Sequence, residues 1–419
     1  MLFAMNTQRG PRAVILLACI ALALTACSSS SGKSGSGSSP TQGSGSSGSK
    51  STIKVGFVGS FTGSQSSSTG GGPKIISAWE KTINAAGGID GHPVNVIVAD
   101  DALVASKSVA AVKSLIENDK VVAIVDTSTL DGAWAKYAES KGVPVIGQSF
   151  TTEWITNPDF YSSATNIFAL IYGAVTLSKS NGTDLAYYYC SESPACASSV
   201  PLIDNIAKTV GVSVKAKGPV SASATNYTST CQQIKDTQVQ TVFIAAASGV
   251  VKRIMDACKT QGITPKIVAQ DGTVSPTWKG DDALEGMQAS QGVGPWFDSN
   301  TPALKQYRDA VKEYASDLGD LDSADTLQAW VPLQAFAAAV KAQPAETVTA
   351  DTVKTGLFSF KAETLGGIAP PMTFTKDKVT PTNCYFTIKL EGGQFVAGLK
   401  TTQCAPDALI NGIASSLPK

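Results

Sequence analysis

Twice along this chain, short apolar strands alternate with helices whose apolar residues recur every three or four positions. In the first series, Ile53–Val58 reads as a strand, followed by a Gly/Ser/Thr-rich loop from Gly59 to Gly72. Pro73 opens a helix over Lys74–Ala86 that puts Ile75, Ile76, Trp79 and Ile83 on one face, and Gly87-Gly88 ends it. Strands at Val94–Ala99, Val121–Val125 and Val143–Ile146 then alternate with helices at Ser106–Glu117 and Leu130–Ser140. The second series places strands at Leu185–Tyr189, Val212–Ala216, Thr241–Ala245 and Lys266–Ala269. Its helices fall near Ala197–Val210, Tyr227–Asp236 and Val250–Gln261. Strand–helix–strand repeats demand right-handed crossovers and a parallel sheet covered on both faces, so the fold class is α/β with two such units. Helices at Leu304–Ala315 and Ala324–Ala342 follow, then a hairpin of Cys384–Leu390 and Gln394–Leu399 turning at Glu391-Gly392-Gly393.

The N-terminus has a different character. Arg9 and Arg12 precede an apolar run from Ala13 to Leu24, which ends in Leu24-Thr25-Ala26-Cys27. A basic start, a short apolar core and small residues before a cut are the parts of a secretory signal. The run is short of the roughly 20 residues that span a bilayer. The Leu-x-Ala-Cys ending resembles the lipobox of bacterial lipoproteins. That implies cleavage after residue 26 and acylation of Cys27 by palmitate-type chains, with anchoring to the lipid bilayer. An ordinary signal peptide with a chance cysteine is the alternative. Residues 28–51 are almost entirely Ser and Gly. They cannot bury apolar surface and form a flexible tether with a reach of about 25–30 Å.

The 33 basic and 33 acidic residues balance, without a basic stripe, so nucleic acid is not expected as a partner. Of the eight cysteines, Cys19 leaves with the signal and Cys27 takes lipid. Cys190, Cys196, Cys231, Cys258, Cys384 and Cys404 remain, an even set that in an exported chain reads as disulfides. Six cysteines allow fifteen pairings. The favoured one is Cys190–Cys196, Cys231–Cys258 and Cys384–Cys404, because each closes a local loop. Metal-site spacing and partner histidines are lacking, so neither metal nor cofactor is expected.

Several segments in order carry a family resemblance: Val55-Gly-Phe-Val-Gly-Ser-Phe-Thr-Gly63, Ile83-Asn-Ala-Ala-Gly-Gly-Ile-Asp-Gly91, Asp100-Asp101, Val121-Val-Ala-Ile-Val-Asp126 and Val143-Pro-Val-Ile146. From about Thr52 to Leu399 the chain resembles the branched-chain amino acid (leucine, isoleucine, valine) binding proteins of ABC importers, of the type I periplasmic-binding-protein fold. The resemblance implies two Rossmann-like lobes joined by a three-strand hinge, with crossings near Ser163–Phe168, Gly292–Phe297 and Gly367–Met372. Lobe one would comprise 52–166 plus 298–369, lobe two 167–297 plus 370–405, and 406–419 a C-terminal tail. It also implies a monomeric receptor outside the plasma membrane that captures an amino acid or similar small molecule for a membrane permease. A sensor lipoprotein of the same fold, signalling to a membrane receptor, is the alternative.

Ligands of parallel α/β sheets bind outside the carboxyl ends of the strands. Ser60, Phe61 and Thr62 follow the first strand. Thr127, Ser128 and Thr129 follow a buried strand and precede a helix, where hydroxyls and free N–H groups suit an oxygen acceptor. By resemblance, Ser128 or Thr129 would hold a ligand carboxylate, although Asp126 beside them would repel one unless turned away. Gln148 and Ser149 occupy the next loop, and Ser248 lies in a matching loop of lobe two. Asp271 would meet the ligand's ammonium by resemblance; Asp-Gly is also a common turn pair. Trp154 and Trp296 are candidates for either cleft walls or hinge packing. With His92 as the sole histidine and no Gly-x-Ser-x-Gly elbow, an enzyme reading has little to stand on.

Overall fold

The computed structural model describes residues 50–416, apart from 64, 65, 149, 193–195 and 198. The signal, Cys27, the tether up to residue 49 and Ser149 therefore lie outside the described residues. Two sheets organise the rest. The first has five strands in the order β2-β1-β3-β4-β5: β1 Ile53–Gly59, β2 Val94–Asp100, β3 Ile124–Asp126, β4 Val145–Gly147 and β5 Phe160–Ser162. All its pairings are parallel, with Val55 opposite Val96 and Val58 opposite Asp126. The second sheet repeats the order in β7-β6-β8-β9-β10: β6 Asp184–Cys190, β7 Ser213–Val220, β8 Thr241–Ala245, β9 Lys266–Gln270 and β10 Gln288–Gln291. Antiparallel strands β11 Cys384–Glu391, β12 Gln394–Ala397 and β13 Gln403–Cys404 extend it, so it is mixed rather than wholly parallel. Two α/β lobes joined by connecting strands result, as the alternating pattern requires.

Each lobe is held by the apolar faces its sequence dictates. The helix Gly72–Ala85 buries Ile75, Ile76, Trp79 and Ile83. Helices Pro302–Tyr314 and Ala324–Ala342 return to pack on it, and the latter also reaches β4. The structure joins Cys190 to Cys196, Cys231 to Cys258 and Cys384 to Cys404, all on elements of the second lobe.

Several expectations need correction. The helix expected over Leu130–Ser140 is a 3-10 turn at Asp131–Ala133 and a short helix at Ala135–Ser140. The segment 406–419 is more than a tail: Asp407–Ser416 is a helix, whose Ile410 is buried with Ile155, Ala169 and Ala405. Thr165 N–H donates to Gly292 O at 3.1 Å and Asn166 N–H to Thr382 O at 2.9 Å, so the crossing segments are hydrogen-bonded side by side. The third connection passes over later than Gly367–Met372, because Phe374 still packs edge-on against Tyr161 of β5.

Candidate functional site

In both sheets the strand order reverses direction beside the first strand, and the carboxyl ends of the strands carry the expected loops. In the first lobe those loops are organised by aspartates. Asp100, at the end of β2, accepts from Phe61 N–H at 2.9 Å, Thr62 N–H at 3.3 Å and the Thr62 hydroxyl. Asp101, fully buried, accepts from the hydroxyls of Ser60 and Ser128, each at 2.6 Å, and from Leu103 N–H at 2.9 Å. One carboxylate thus ties the β1 loop to the β3 loop. Gln148 is partly engaged internally: its Nε2 donates one hydrogen to Thr127 O at 3.1 Å.

These partners change the roles expected of the first lobe. A hydroxyl has a single proton to give. Those of Ser60, Thr62 and Ser128 are already given to aspartates, so none is free for a ligand carboxylate. Phe61 turns inward rather than toward a cleft. Its ring sits against Gly59 and Gly72, where an added Cβ would lie 2.4 Å from ring atoms, and close to Phe57. Thr127 is buried, with its hydroxyl 3.5 Å from Val58 O. Thr129 is exposed, and its hydroxyl has no partner among the described residues.

Two further acids lie beneath this rim. Asp126 accepts from Ser128 N–H at 3.0 Å through Oδ1, whereas its buried Oδ2 has no hydrogen-bond partner. Burial pushes its carboxyl well above the ordinary range, and the neighbouring Asp131 and Asp101 add to this. Asp131 accepts from Trp154 Nε1 and the Thr151 hydroxyl, both at 2.7 Å. Burial lifts it to about 6 against those hydrogen bonds. Trp154 is consequently a core residue and not a cleft wall. Trp296 likewise packs with Phe297 and Phe395 near the hinge.

Asp271 gathers the second lobe's side. It follows β9 in a turn whose next residue, Gly272, has φ +80°, a conformation glycine adopts without strain. The side chain is buried. Its Oδ2 accepts from Gly292 N–H in the second crossing segment and from Gln328 Nε2 at 2.8 Å. Gln328 is carried by the helix Ala324–Ala342 of the first lobe, so this hydrogen bond spans the two lobes. Burial raises the Asp271 carboxyl well above the ordinary range, and the charge of Asp325 raises it further. Its Oδ1 is buried without a donor. Ser248, half-buried at the start of the helix Ser248–Thr260, lies on the same edge of the sheet. Gln328 and Asp325 escaped the sequence reading. The available signal was a glutamine amid Leu327, Ala329, Trp330 and Val331, since an uncharged polar side chain in an apolar helix stretch needs a partner.

His92, on which a Ser-His-Asp arrangement would depend, is fully buried. Its Nδ1 lies 2.7 Å from Ser51 O and its Nε2 2.9 Å from Ala345 O. Two surface hollows, ≈ 490 and ≈ 350 Å³, are lined by residues such as Ser213 and Lys266 at the starts of second-lobe strands, the edge opposite Asp271.

Residues 52–394 match the family model described as periplasmic binding protein. No curated protein matches the chain. Among solved structures, a branched chain amino acid ABC transporter protein from Thermus thermophilus with bound valine has a TM-score of 0.76 at 17% identity, covering 87% of this chain and 99% of that one. A fatty acid ABC transporter substrate-binding protein from Thermomonospora curvata has a TM-score of 0.70 at 19% identity, covering 86% and 94%. A leucine binding protein from Thermotoga maritima has a TM-score of 0.65 at 16% identity, covering 85% and 99%. One fold thus serves ligands as unlike as valine and a fatty acid.

Proposed function

Because the chain belongs to the periplasmic binding protein family, we propose that it is the extracytoplasmic receptor of an ABC importer, taking a small polar ligand between its lobes. The observation that carries this reading is Asp271: a buried carboxylate that touches both lobes and keeps one oxygen without a donor. A buried polar atom left unpaired is costly, and a ligand N–H donor relieves it. The lobes would be 52–166 with 298 to about 374, and 167–297 with the chain from β11 to 405, swinging about the crossing segments. A ligand that contacts both lobes favours the closed arrangement by its better contacts there. The closed body, a monomer held to the membrane through lipidated Cys27, would then dock on a permease. Transport needs no bond-breaking step from this chain, so the reading is non-catalytic.

A thermal-shift screen of the full chain against amino acids, amides, amines, sugars and fatty acids tests the receptor role. A ligand at a hundred times its Kd adds ~2.7 kcal/mol, a shift of several degrees for lobes of this size. The expected result is a shift from one class, lost in Asp271→Ala. A well-folded sample that responds to nothing counts against a receptor. In the same preparations, Cys27→Ala should move the protein from the membrane to the soluble fraction; retention in the membrane would remove the lipid anchor.

A further inference from the structure

The atoms around Asp271 are unbalanced in a way that bears on ligand charge. Gln328 gives its amide nitrogen to Asp271, which leaves Gln328 Oε1 beside the same carboxylate, buried and without a partner. Asp271 Oδ1 is in the same condition. Both atoms are acceptors, one carried by each lobe. Asp325 stands one turn before Gln328 on the same helix, half-buried, and has no hydrogen bond or ion pair with any described residue. The charge of Asp325, of like sign, pushes the Asp271 carboxyl up. Burial lifts Asp325 itself to about 7.

The remainder of the rim adds few donors. Asp100 and Asp101 already hold the hydroxyls of Ser60, Thr62 and Ser128. On the second lobe, Arg253 gives its Nη2 to Ala222 O at 2.8 Å and lies over the Tyr227 ring. Glu192, also on that edge, accepts from Ala222 N–H. Among the described residues no group of three or more His, Cys, Asp or Glu is arranged to hold a metal ion. The gap calls for N–H donors and positive charge together.

We propose that the ligand is an organic cation, an ammonium or guanidinium compound that needs no carboxylate, held by Asp271 from the second lobe and by Asp325 and Gln328 from the first. Its N–H groups fill the two orphaned acceptors. Its charge favours the ionised forms of Asp271 and Asp325, which burial otherwise disfavours. A zwitterionic amino acid would satisfy the acids but bring a carboxylate to first-lobe loops where the hydroxyls of Ser60, Thr62 and Ser128 are taken and, among the described residues there, that of Thr129 alone is free. This inference rests on the receptor reading and narrows it.

Isothermal titration of the full chain with agmatine, arginine, putrescine, leucine and octanoate separates the cases, because agmatine and arginine differ by the carboxylate. Agmatine or putrescine should bind, agmatine at least as tightly as arginine, with leucine and octanoate silent. Asp325→Asn, which loses no hydrogen bond, should weaken the amine roughly tenfold or more, and Asp271→Asn at least as much. Should Asp271→Asn fail to fold, Asp325→Asn carries the test. Binding of leucine or octanoate without the amines overturns the cation class and leaves the receptor standing. Arginine binding without agmatine removes the carboxylate-free claim. Silence from all five overturns the cation proposal, and the broad thermal screen then decides the receptor role separately.

Discussion

The two lobes share a strand order but differ in what secures them. The second carries all three disulfides, closing loops of 6, 27 and 20 residues. The first has none; its switch-point loops are held by buried aspartates instead. A covalent link acts chiefly on the unfolded chain and is indifferent to pH in the ordinary range. A buried carboxylate is sensitive to protons, because burial disfavours its charge. Similar architecture thus has two kinds of vulnerability, and three measurements separate them.

The largest expected effect is on the second lobe. The Cys231–Cys258 link closes 27 residues between two helices with both sulfurs buried. Its removal in the pair Cys231→Ser and Cys258→Ser should cost about 3–4 kcal/mol. Hydrogen exchange should show the loss in β8 and the helix Ser248–Thr260, with β1 and β3 amides unmoved. Equal loss in both sheets would erase the contrast.

A smaller effect belongs to Asp131. Asp131→Ala leaves Trp154 Nε1 and Thr151 without their acceptor, a loss of about 2 kcal/mol. A urea titration should register it equally with disulfides intact or reduced. A loss that appears only after reduction would mean the lobes are not separately secured.

The smallest effect is a slope. The folded first lobe holds Asp126 and Asp131 above their unfolded values, Asp131 at about 6. Between about pH 4, where unfolded aspartates titrate, and these raised values, the folded state binds more protons. Stability therefore falls as pH rises through that window. Exchange protection of β3 should be higher at pH 5 than at pH 7.5, after correction for intrinsic rates. Asp126→Asn should flatten the difference. Asp325 titrates at about 7, so β3 supplies the local reading; an unflattened slope would acquit Asp126.

Most strands were legible because a buried parallel strand is a compact apolar run. Those missed lack that mark: β10 reads Gln-Ala-Ser-Gln, and β5 is three residues long. The helix Ile167–Ser178 went unread because it is apolar nearly all round and shows no period. At the site, Asp271 was legible from its place after a strand. Gln328 was not, because it lies 57 positions further along the chain and meets Asp271 only once that stretch folds back. The hydroxyls were placed on their loops by position, but their partners, Asp100 and Asp101, could be assigned only once β1, β2 and β3 lay side by side.

The knot at the chain's entry has a mechanical side. Lys50 is paired with Asp90 at 2.9 Å, and His92 bonds Ser51 O on one side and Ala345 O on the other. From there β1 runs between β2 and β3, parallel to both. A pull on residue 50 along the strand is therefore carried in shear, shared among many hydrogen bonds at once rather than unzipped one by one. Ser60 and the Asp271–Gln328 contact lie past the far end of that strand, so the load dissipates into the sheet before it reaches the ligand edge.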